Sequence, residues 1–231
     1  MNQLTTIHVG DTIGEVSAIL QRPPDARAMY VLAHGAGVGM RHSFMEAIAD
    51  GLADRGLATL RYQFPYVEAG SRRPDPPGIL EATVRAAVAS AHEIAPELPL
   101  VAGGKSLGGR MTSNAMAHRP IEHVGGLIFL GFPLHRPRQP GVTRAEHLDS
   151  VECPMLFLQG TRDDLADLDL MQSVCARLGP RATLHVVDGA DHSFSVLKRS
   201  GRTGPDVLRE LALAVEEWCR AVLDCSDGHR S

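Results

Sequence analysis

The stretch Leu98-Pro-Leu-Val-Ala-Gly-Gly-Lys-Ser-Leu-Gly-Gly-Arg110 decides how this chain is organised. Its apolar beginning, Leu98 to Ala102, is short and bounded by proline and glycine, which predicts a buried strand. After Ser106, an apolar stripe at helical spacing runs from Leu107 to His118 and stops before Pro120, which predicts a helix. The serine therefore lies where a strand turns sharply into a helix.

The five residues Gly104-Lys-Ser-Leu-Gly108 match the pattern G-x-S-x-G. Such a turn holds its central residue in a strained backbone conformation, and the two glycines leave room where a Cβ would collide with a neighbouring strand or helix. The pattern alone also fits a glycine-rich turn in which Ser106 only caps the helix. The rest of the chain decides between a nucleophilic and a capping serine.

Strands and helices alternate along the remainder of the chain. Short apolar runs predict strands at 28–33, 57–61, 125–130, 154–159 and 182–187. Apolar residues at helical spacing predict helices at 43–55, 79–94 and 204–223. This alternation predicts an α/β fold, a mostly parallel doubly wound sheet covered by helices on both faces.

A single domain over residues 1–231 is expected, because this length suits one α/β core. Residues 1–21 contain two β-prone runs that predict a peripheral N-terminal hairpin, and residues 224–231 are predicted to form a flexible tail. The segment 133–153 is too short for a helical cap with its own core, so no large cap domain is expected. The proline-rich segment 65–78 is predicted to be a surface loop, and whether it closes over the neighbouring cleft is left open.

Composition and charge exclude several classes of protein. The net charge is −4 and basic residues are scattered, so the chain lacks the positive surface that binds nucleic acid or an anionic membrane. No apolar run approaches the roughly 20 residues of a membrane span, and the N-terminus lacks the layout of a signal peptide. The four cysteines form no C-x-x-C pair, which predicts reduced thiols, no metal site and a cytoplasmic location.

Two loops that carry acidic residues and a histidine follow later strands. Gly160-Thr-Arg-Asp-Asp164 follows the strand that ends at Gln159, and Asp188-Gly-Ala-Asp-His-Ser-Phe194 follows the last predicted strand. The carboxyl ends of parallel strands meet at one edge of the sheet, so these loops are expected near the serine. The chain order Ser106, acid, His192 is that of α/β-hydrolases and differs from the orders in chymotrypsin-like and subtilisin-like proteases.

The chain resembles the α/β-hydrolases of the compact dienelactone-hydrolase-like kind. It is similar in particular to the group that contains testis-expressed hydrolase-like proteins and a subunit of the NSL chromatin complex. The resemblance covers residues 28–223 and rests on five motifs in the family's order: His34-Gly-Ala-Gly37, Phe64-Pro-Tyr66, Gly104-Lys-Ser-Leu-Gly-Gly-Arg110, Gly160-Thr-Arg-Asp163 and Gly189-Ala-Asp-His-Ser-Phe194. It implies an α/β-hydrolase fold and a serine hydrolase activity.

The resemblance implies a role for each site residue. Ser106 is the implied nucleophile, His192 the base, and Asp163 the acid that orients the imidazole. This agrees with the chemistry, because a serine hydroxyl attacks only when an imidazole takes its proton, and the imidazole needs a carboxylate to fix its tautomer. The backbone N–H groups of Ala36 and Leu107 are the implied oxyanion hole. No metal or organic cofactor is implied.

Several other aspartates could serve as the acid that orients the His192 imidazole. Asp163 is preferred because it follows the strand and its Gly-Thr turn by the family's spacing. Asp188 and Asp191 are too close to His192 in sequence to aim naturally at its ring. The full set of alternative acids near these loops is Asp164, Asp167, Asp188 and Asp191.

Other polar side chains near this edge have less defined roles. His34 is expected to shape the oxyanion loop, and His42 to cap a helix or face solvent. Arg61 and Arg110 are candidates for contact with an anionic substrate, although a buried ion pair is the favoured interpretation for each. The direction of the Lys105 side chain is left open.

Together these features predict a serine hydrolase that cleaves a small carboxylic ester or thioester through an acyl-enzyme on Ser106. A non-catalytic interaction scaffold of the same fold, or a small peptidase or amidase, is the alternative. A scaffold would be expected to have lost part of the Ser-Asp-His set, and a peptidase to have long insertions that hold a peptide. Substrate-binding residues, acyl and leaving groups and oligomeric state are not determined by the sequence.

Overall fold

The computed structural model describes residues 2–227, with side chains described for residues 2–223. Its centre is one eight-stranded sheet. The strands are β1 (Asn2–Gly10), β2 (Gly14–Gln21), β3 (Ala28–Ala33), β4 (Leu57–Tyr62), β5 (Leu100–Lys105), β6 (Val124–Leu130), β7 (Met155–Gly160) and β8 (Ala182–Val187). Their spatial order is β1-β2-β4-β3-β5-β6-β7-β8. The β1/β2 and β2/β4 pairs are antiparallel, and the other five pairs are parallel.

Six α-helices and a longer 3₁₀ segment surround the sheet. They are α1 (Ser43–Ala53), α2 (Pro65–Glu68), α3 (Pro77–Ile94), α4 (Leu107–His118), α5 (Leu168–Leu178), α6 (Gly204–Asp227) and the 3₁₀ segment Thr143–Ser150. Helices α1 and α6 pack on one face of the sheet, whereas α3, α4 and α5 pack on the other. The predicted doubly wound α/β architecture without a large cap is confirmed.

The core is divided between the two faces by the alternation of side chains along each strand. In β3, Tyr30 and Leu32 pack with α1 and α6, while Met29 and Val31 pack with α3 and α4 on the opposite face. All six residues of β3 are buried. Central strands covered on both faces carry continuous apolar runs, which is why the sequence located β3 correctly.

Strand β5 differs from its predicted bounds in a way that matters for the site. An apolar run at Leu98–Ala102 was expected, but the strand continues through Gly103 and Gly104 to Lys105. Parallel pairing with β3 and β6 on both sides holds these residues in the ladder, although glycine by itself disfavours a strand.

Regular secondary structure extends further at both ends of the chain than the sequence predicts. The N-terminal hairpin is present, and its second strand joins the main sheet by pairing with β4, so the hairpin forms one edge of the sheet. At the other end, α6 continues to Asp227 through the first part of the expected flexible tail. Residues 228–231 lie outside the described residues.

Two further sequence expectations concern membranes and thiols. Within residues 2–227, no helix is both long and apolar enough to cross a membrane. Cys175 and Cys219 are buried free thiols, and Cys153 is a partly buried one. The side chain of Cys225 lies outside the described part of the chain.

Candidate active site

Ser106 lies between β5 and α4 in a strained backbone conformation, with φ 49° and ψ −111°. A non-glycine residue in such a region costs about 1–3 kcal/mol and persists only where its surroundings hold it. Here its N–H donates to the carbonyl oxygen of Leu130 at 3.2 Å, and its own carbonyl accepts the N–H of Arg110 at 3.1 Å. The turn predicted from the sequence is therefore present and fixed on both sides.

Two glycines allow α4 to begin close to the end of β3. A Cβ at Gly104 would lie 2.1 Å from the carbonyl oxygen of Ala33, and one at Gly108 would lie 2.6 Å from that of His34. Neither position can hold a side chain without backbone movement. The close approach places Ser106 beside the loop after β3, where a Cβ built on Gly35 would lie 3.8 Å from the serine Cβ.

His192 connects the serine to a carboxylate. Its Nε2 lies 2.9 Å from Ser106 Oγ, and its Nδ1 lies 2.7 Å from Asp163 Oδ2. The Asp163 side chain is fully buried, whereas that of His192 is 19% exposed. When Nδ1–H donates to the carboxylate, the Nε2 lone pair faces the serine hydroxyl. This arrangement can take the hydroxyl proton as the oxygen attacks an electrophile.

Asp163 is held in place by donors from its own loop and strand. Its Oδ2 also accepts a hydrogen bond from Gln159 Nε2 at 2.5 Å, and its Oδ1 accepts the N–H of Leu165 at 2.8 Å. A buried carboxylate needs such partners to offset the loss of water. They also fix the oxygen that contacts His192.

The alternative acids have other positions. Asp191 accepts two backbone N–H groups within its own turn, and Asp167 accepts two in the first turn of α5. Asp188 accepts a hydrogen bond from a threonine hydroxyl at 3.4 Å, and Asp164 is exposed. Of the five candidate acids, Asp163 alone contacts His192.

His34 fixes the loop that follows β3, as expected. The ring is fully buried; Nδ1 lies 2.8 Å from the carbonyl oxygen of Gly35, and Nε2 accepts the N–H of Phe64 at 3.1 Å. Burial lowers the His34 pKa from 6.5 to about 4, so the imidazole is neutral at pH 7 and able to accept that hydrogen bond. Tyr66 packs edge-on against the same ring, with centroids 6.0 Å apart.

The two predicted oxyanion donors lie at this edge of the sheet. Leu107 is the first residue of α4, where backbone N–H groups have no partner within the helix and the helix dipole favours negative charge. Ala36 lies in the exposed part of the turn after β3.

The segment 65–78 contributes α2 and the start of α3, and its residues 68–74 are exposed.

Lys105 points towards His192, a direction that the sequence left open. Its Nζ donates to the carbonyl oxygen of His192 at 2.6 Å and lies 5.4 Å from the centre of the Phe194 ring. Burial lowers the Lys105 pKa from 10.5 to about 8, and the nearby carboxylates of Asp163 and Asp191 oppose that shift. The residue before Ser106 therefore holds the loop that carries His192.

The ion pairs favoured for two arginines are not found in the described part of the chain, and this interpretation was wrong. Arg61 is fully buried and donates from Nη1 to the carbonyl oxygen of Met40 at 3.1 Å, while its Nε has no acceptor. The buried Nε of Arg110 likewise has no acceptor among the described residues. His42 caps α1, where its Nδ1 accepts the N–H of Phe44 at 3.3 Å.

A second serine–histidine contact lies about two turns further along α4, and the sequence did not predict it. Ser113 Oγ lies 2.8 Å from His147 Nε2. The same hydroxyl donates to the carbonyl oxygen of Arg110 at 2.9 Å, so His147 is the donor to Ser113. Ser113 is fully buried, which gives it no access to a substrate. No sequence motif marks this pair, because its partners meet only through the packing of α4 on the 3₁₀ segment.

Comparisons with known proteins agree with this architecture. A dienelactone hydrolase from Anabaena variabilis is 21% identical, with a TM-score of 0.75 over 96% of this chain and 98% of that chain. A serine hydrolase without a lid from Xanthomonas campestris is 19% identical, with a TM-score of 0.72 over 94% of each chain. Est1E from Butyrivibrio proteoclasticus, with bound ferulic acid, is 17% identical, with a TM-score of 0.69 over 91% of this chain and 96% of that chain.

At these identities the likeness establishes a shared fold. A family model described as an alpha/beta hydrolase domain matches residues 26–220, which is most of the chain. The protein therefore belongs to the alpha/beta hydrolase family.

Proposed function

We propose that the protein is a serine hydrolase that cleaves a small carboxylic ester or thioester through an acyl-enzyme on Ser106. The observation that carries this proposal is the unbroken hydrogen-bonded series from Ser106 Oγ through His192 to the buried Asp163 carboxylate. The family and the esterase-like fold support hydrolysis in general. What we propose in addition is that the bond cleaved is an ester or thioester and that Ser106 forms a covalent acyl-enzyme.

The first half-reaction forms the acyl-enzyme. Ser106 Oγ attacks the carbonyl carbon while its proton moves to His192 Nε2. The tetrahedral intermediate collapses, the bond to the leaving group breaks, and Nε2–H returns the proton to the departing oxygen or sulfur. Asp163 stabilises the imidazolium that exists between these two transfers.

The second half-reaction is hydrolysis. A water molecule gives a proton to His192 Nε2 as its oxygen attacks the acyl carbon, and collapse of this intermediate releases the carboxylic acid and restores the Ser106 hydroxyl. In both halves the negative oxygen would lie against the N–H groups of Ala36 and Leu107. The N-terminus of α4 adds favourable electrostatic potential at the same point.

The open surroundings of the serine favour a small substrate. Between β6 and β7, the chain forms only loop and the eight-residue 3₁₀ segment, so nothing there makes a deep tunnel for a long acyl chain. The five motifs also support a placement in the testis-expressed and NSL-subunit group, and the cytoplasmic location and the absence of a cofactor stay predictions.

Two alternatives are less well supported. An interaction scaffold would have no need for a serine, histidine and aspartate in continuous hydrogen-bond contact. A peptidase or amidase is compatible with the same three side chains, and would be recognised by turnover of anilides at rates comparable to those of esters.

Covalent labelling with a fluorophosphonate tests the proposal. The Ser106→Ala variant is expected to lose labelling, whereas Ser113→Ala, which removes the other serine in contact with a histidine, is expected to keep it. Turnover of esters with acyl chains of increasing length then tests substrate size, with the highest rates expected for short chains. Labelling that persists in Ser106→Ala would overturn the assignment.

A further inference from the structure

Three arginines on α4 and the segment after β6, Arg110, Arg136 and Arg144, have no acidic partner among the described residues. The 3₁₀ segment that carries Arg144 packs on α4, where His147 contacts Ser113, one turn after Arg110. Burial lowers the pKa of Arg110, and the positive charge of Arg144 lowers it further. Burial and the charge of Arg136 act on the pKa of Arg144 in the same way. Six other arginines of the described chain pair with carboxylates, in Arg22–Glu97, Arg27–Glu216, Arg177–Asp149, Arg202–Glu210, Arg209–Asp206 and Arg220–Glu216, whereas these three form no such pair.

Of these three arginines, Arg110 has the least satisfied side chain. It is partly buried, its Nε is fully buried, and among the described residues it donates to no acceptor. A buried donor without a partner costs about 1–3 kcal/mol. The hydrogen bonds of the folded protein therefore leave the Nε of Arg110 unsatisfied among the described residues.

The neighbouring histidine supplies no negative charge either. Burial, then Arg110, then His118 lower the pKa of His147 to about 4, so its ring is neutral at pH 7. Its Nε2 is occupied by Ser113. Within the described residues, the three arginines therefore have no ion-pair partner, in a chain whose net charge is −4.

Arg110 lies close to the nucleophile. It is four residues after Ser106, and its N–H donates to the Ser106 carbonyl at 3.1 Å, so it occupies the first turn of α4. One helical turn rises about 5.4 Å. A guanidinium there can reach a group that lies a few atoms from the carbonyl under attack.

Arg144 is tied to the loop that carries the acid. Its Nη1 donates to the carbonyl oxygen of His135 at 3.0 Å. The His135 Nε2 accepts the N–H of Asp167 at 3.1 Å, and the His135 N–H donates to the carbonyl oxygen of Leu165 at 3.0 Å. The Arg144 side chain is thus joined through His135 to the loop after β7, and Arg110 lies in the first turn of α4 after Ser106.

We infer that Arg110 and Arg144 form an oxyanion-binding subsite beside Ser106, and that the substrate is an ester or thioester that carries a carboxylate or phosphate group. The inference rests on the proposed function and adds the charge of the substrate to it. Guanidinium groups bind these anions through paired, charge-assisted hydrogen bonds, and a partly buried site strengthens them. The anionic group would satisfy the free Arg110 donors and orient the ester towards Ser106.

The test compares two esters of one alcohol, a neutral butyrate and an anionic hemisuccinate of similar length. The ratio of kcat/KM for hemisuccinate to that for butyrate is measured in the wild type, in Arg110→Gln and in Arg144→Gln. The ratio is expected to fall about 10-fold or more in each variant, the usual effect of losing a charged hydrogen bond. Arg209→Gln, which removes an exposed arginine on α6, is the control and is expected to keep the wild-type ratio.

A binding measurement separates this inference from the proposed function. Calorimetry on the Ser106→Ala protein, with succinate and inorganic phosphate as probes, shows which anion is bound and whether each arginine is needed. Arg110→Lys keeps the charge and is expected to retain part of the affinity, which guards against a folding defect in Arg110→Gln.

The two experiments distinguish failure of the anion-binding subsite from failure of the proposed hydrolase function. An unchanged ratio in Arg110→Gln and Arg144→Gln, with butyrate still hydrolysed, overturns the subsite and leaves the hydrolase intact. If neither ester is hydrolysed by the wild type, while succinate or phosphate binds and both arginines are needed, the proposed function fails and the subsite stands. Absence of both turnover and anion binding overturns both.

Discussion

The ammonium group of Lys105 lies 2.6 Å from the carbonyl oxygen of His192 and donates a hydrogen bond to it. The residue directly before Ser106 thus restrains the backbone of His192. The same lysine lies beside the Phe194 ring, two residues further along the same loop. Lys105 is a positioning residue in this arrangement, since the contact reaches the reacting atoms only through His192.

Replacing Lys105 with Met is expected to lower kcat by about 10- to 100-fold, because small displacements of a catalytic group have effects of this size. KM is expected to change less, because the side chain contacts the His192 backbone. Lys105→Arg keeps a cationic donor and is expected to recover part of the rate. Equal rates in Lys105→Met and wild type would show that the contact has no influence on the base.

The pH profile provides a second readout for Lys105. Its pKa of about 8 means that the ammonium loses its proton as the pH rises through 8, so the charge that holds the His192 carbonyl is lost there. Turnover by the wild type is expected to decline on the alkaline side with a midpoint near this pKa. The decline is expected to disappear in Lys105→Arg, and its persistence there would assign it to another group.

The identity of the acid is tested by isosteric substitutions. Asp163→Asn keeps the shape of the side chain but removes the charge and the acceptor that fixes the His192 tautomer, so kcat is expected to fall by about 10³- to 10⁴-fold. Asp188→Asn is the control, and is expected to stay within about twofold because its carboxylate contacts a threonine hydroxyl instead. A larger loss in Asp188→Asn than in Asp163→Asn would reverse the assignment.

A steric prediction follows from the close approach of β3 and β5. Gly104→Ala would place a Cβ 2.1 Å from the Ala33 carbonyl oxygen, a contact that requires backbone movement. We expect a loss of about 3 kcal/mol or more in the free energy of unfolding, measured by urea denaturation. Gly78→Ala, in the first turn of α3, meets nothing within 4 Å and is expected to be neutral or stabilising.

Much of the fold was predictable because central parallel strands carry strong local signals. The bounds of β3 and α4 agree with the sequence prediction, since each is an apolar or amphipathic run that ends at a glycine, proline or polar loop. The end of β5 was not predictable in this way, because Gly103 and Gly104 are strand residues only through pairing on both sides. Local propensity contains no information about such neighbours.

The candidate site also combines features that sequence spacing predicts with features that depend on packing. Spacing after strands pointed to Ser106, Asp163 and His192, and the structure brings these side chains into contact. Long, flexible side chains were not predictable from sequence. The direction of Lys105, which the sequence left open, and the ion pairs expected for Arg61 and Arg110 depend on which loops pack together. For Arg61 and Arg110, the sequence suggested a buried anionic partner. Sequence alone cannot distinguish a carboxylate of the protein from a carboxylate of a ligand.

The buried His34 links acid pH to the stability of the loop after β3. Its pKa is lowered from 6.5 to about 4 in the folded protein, so between these values the unfolded chain binds a proton that the folded chain does not. The stability that depends on a neutral His34 is therefore present in full above the unfolded pKa. As the pH falls below that value, the free energy of unfolding decreases by about 1.4 kcal/mol per pH unit from this residue. Urea denaturation at several pH values between 7 and 4 measures the slope.

His34→Gln removes the titrating group and is expected to make that slope shallower, while stability at pH 7 falls because the hydrogen bonds to Gly35 and Phe64 are disturbed. His8→Gln, which removes an exposed histidine of β1, is the matched control and should keep the wild-type slope. If His34→Gln had the same slope as the wild type, the ring would take up its proton at the same pH in the folded protein as in the unfolded chain. Below that pH its Nε2 would be unable to accept the Phe64 N–H, contrary to the arrangement that fixes the loop beside Ser106.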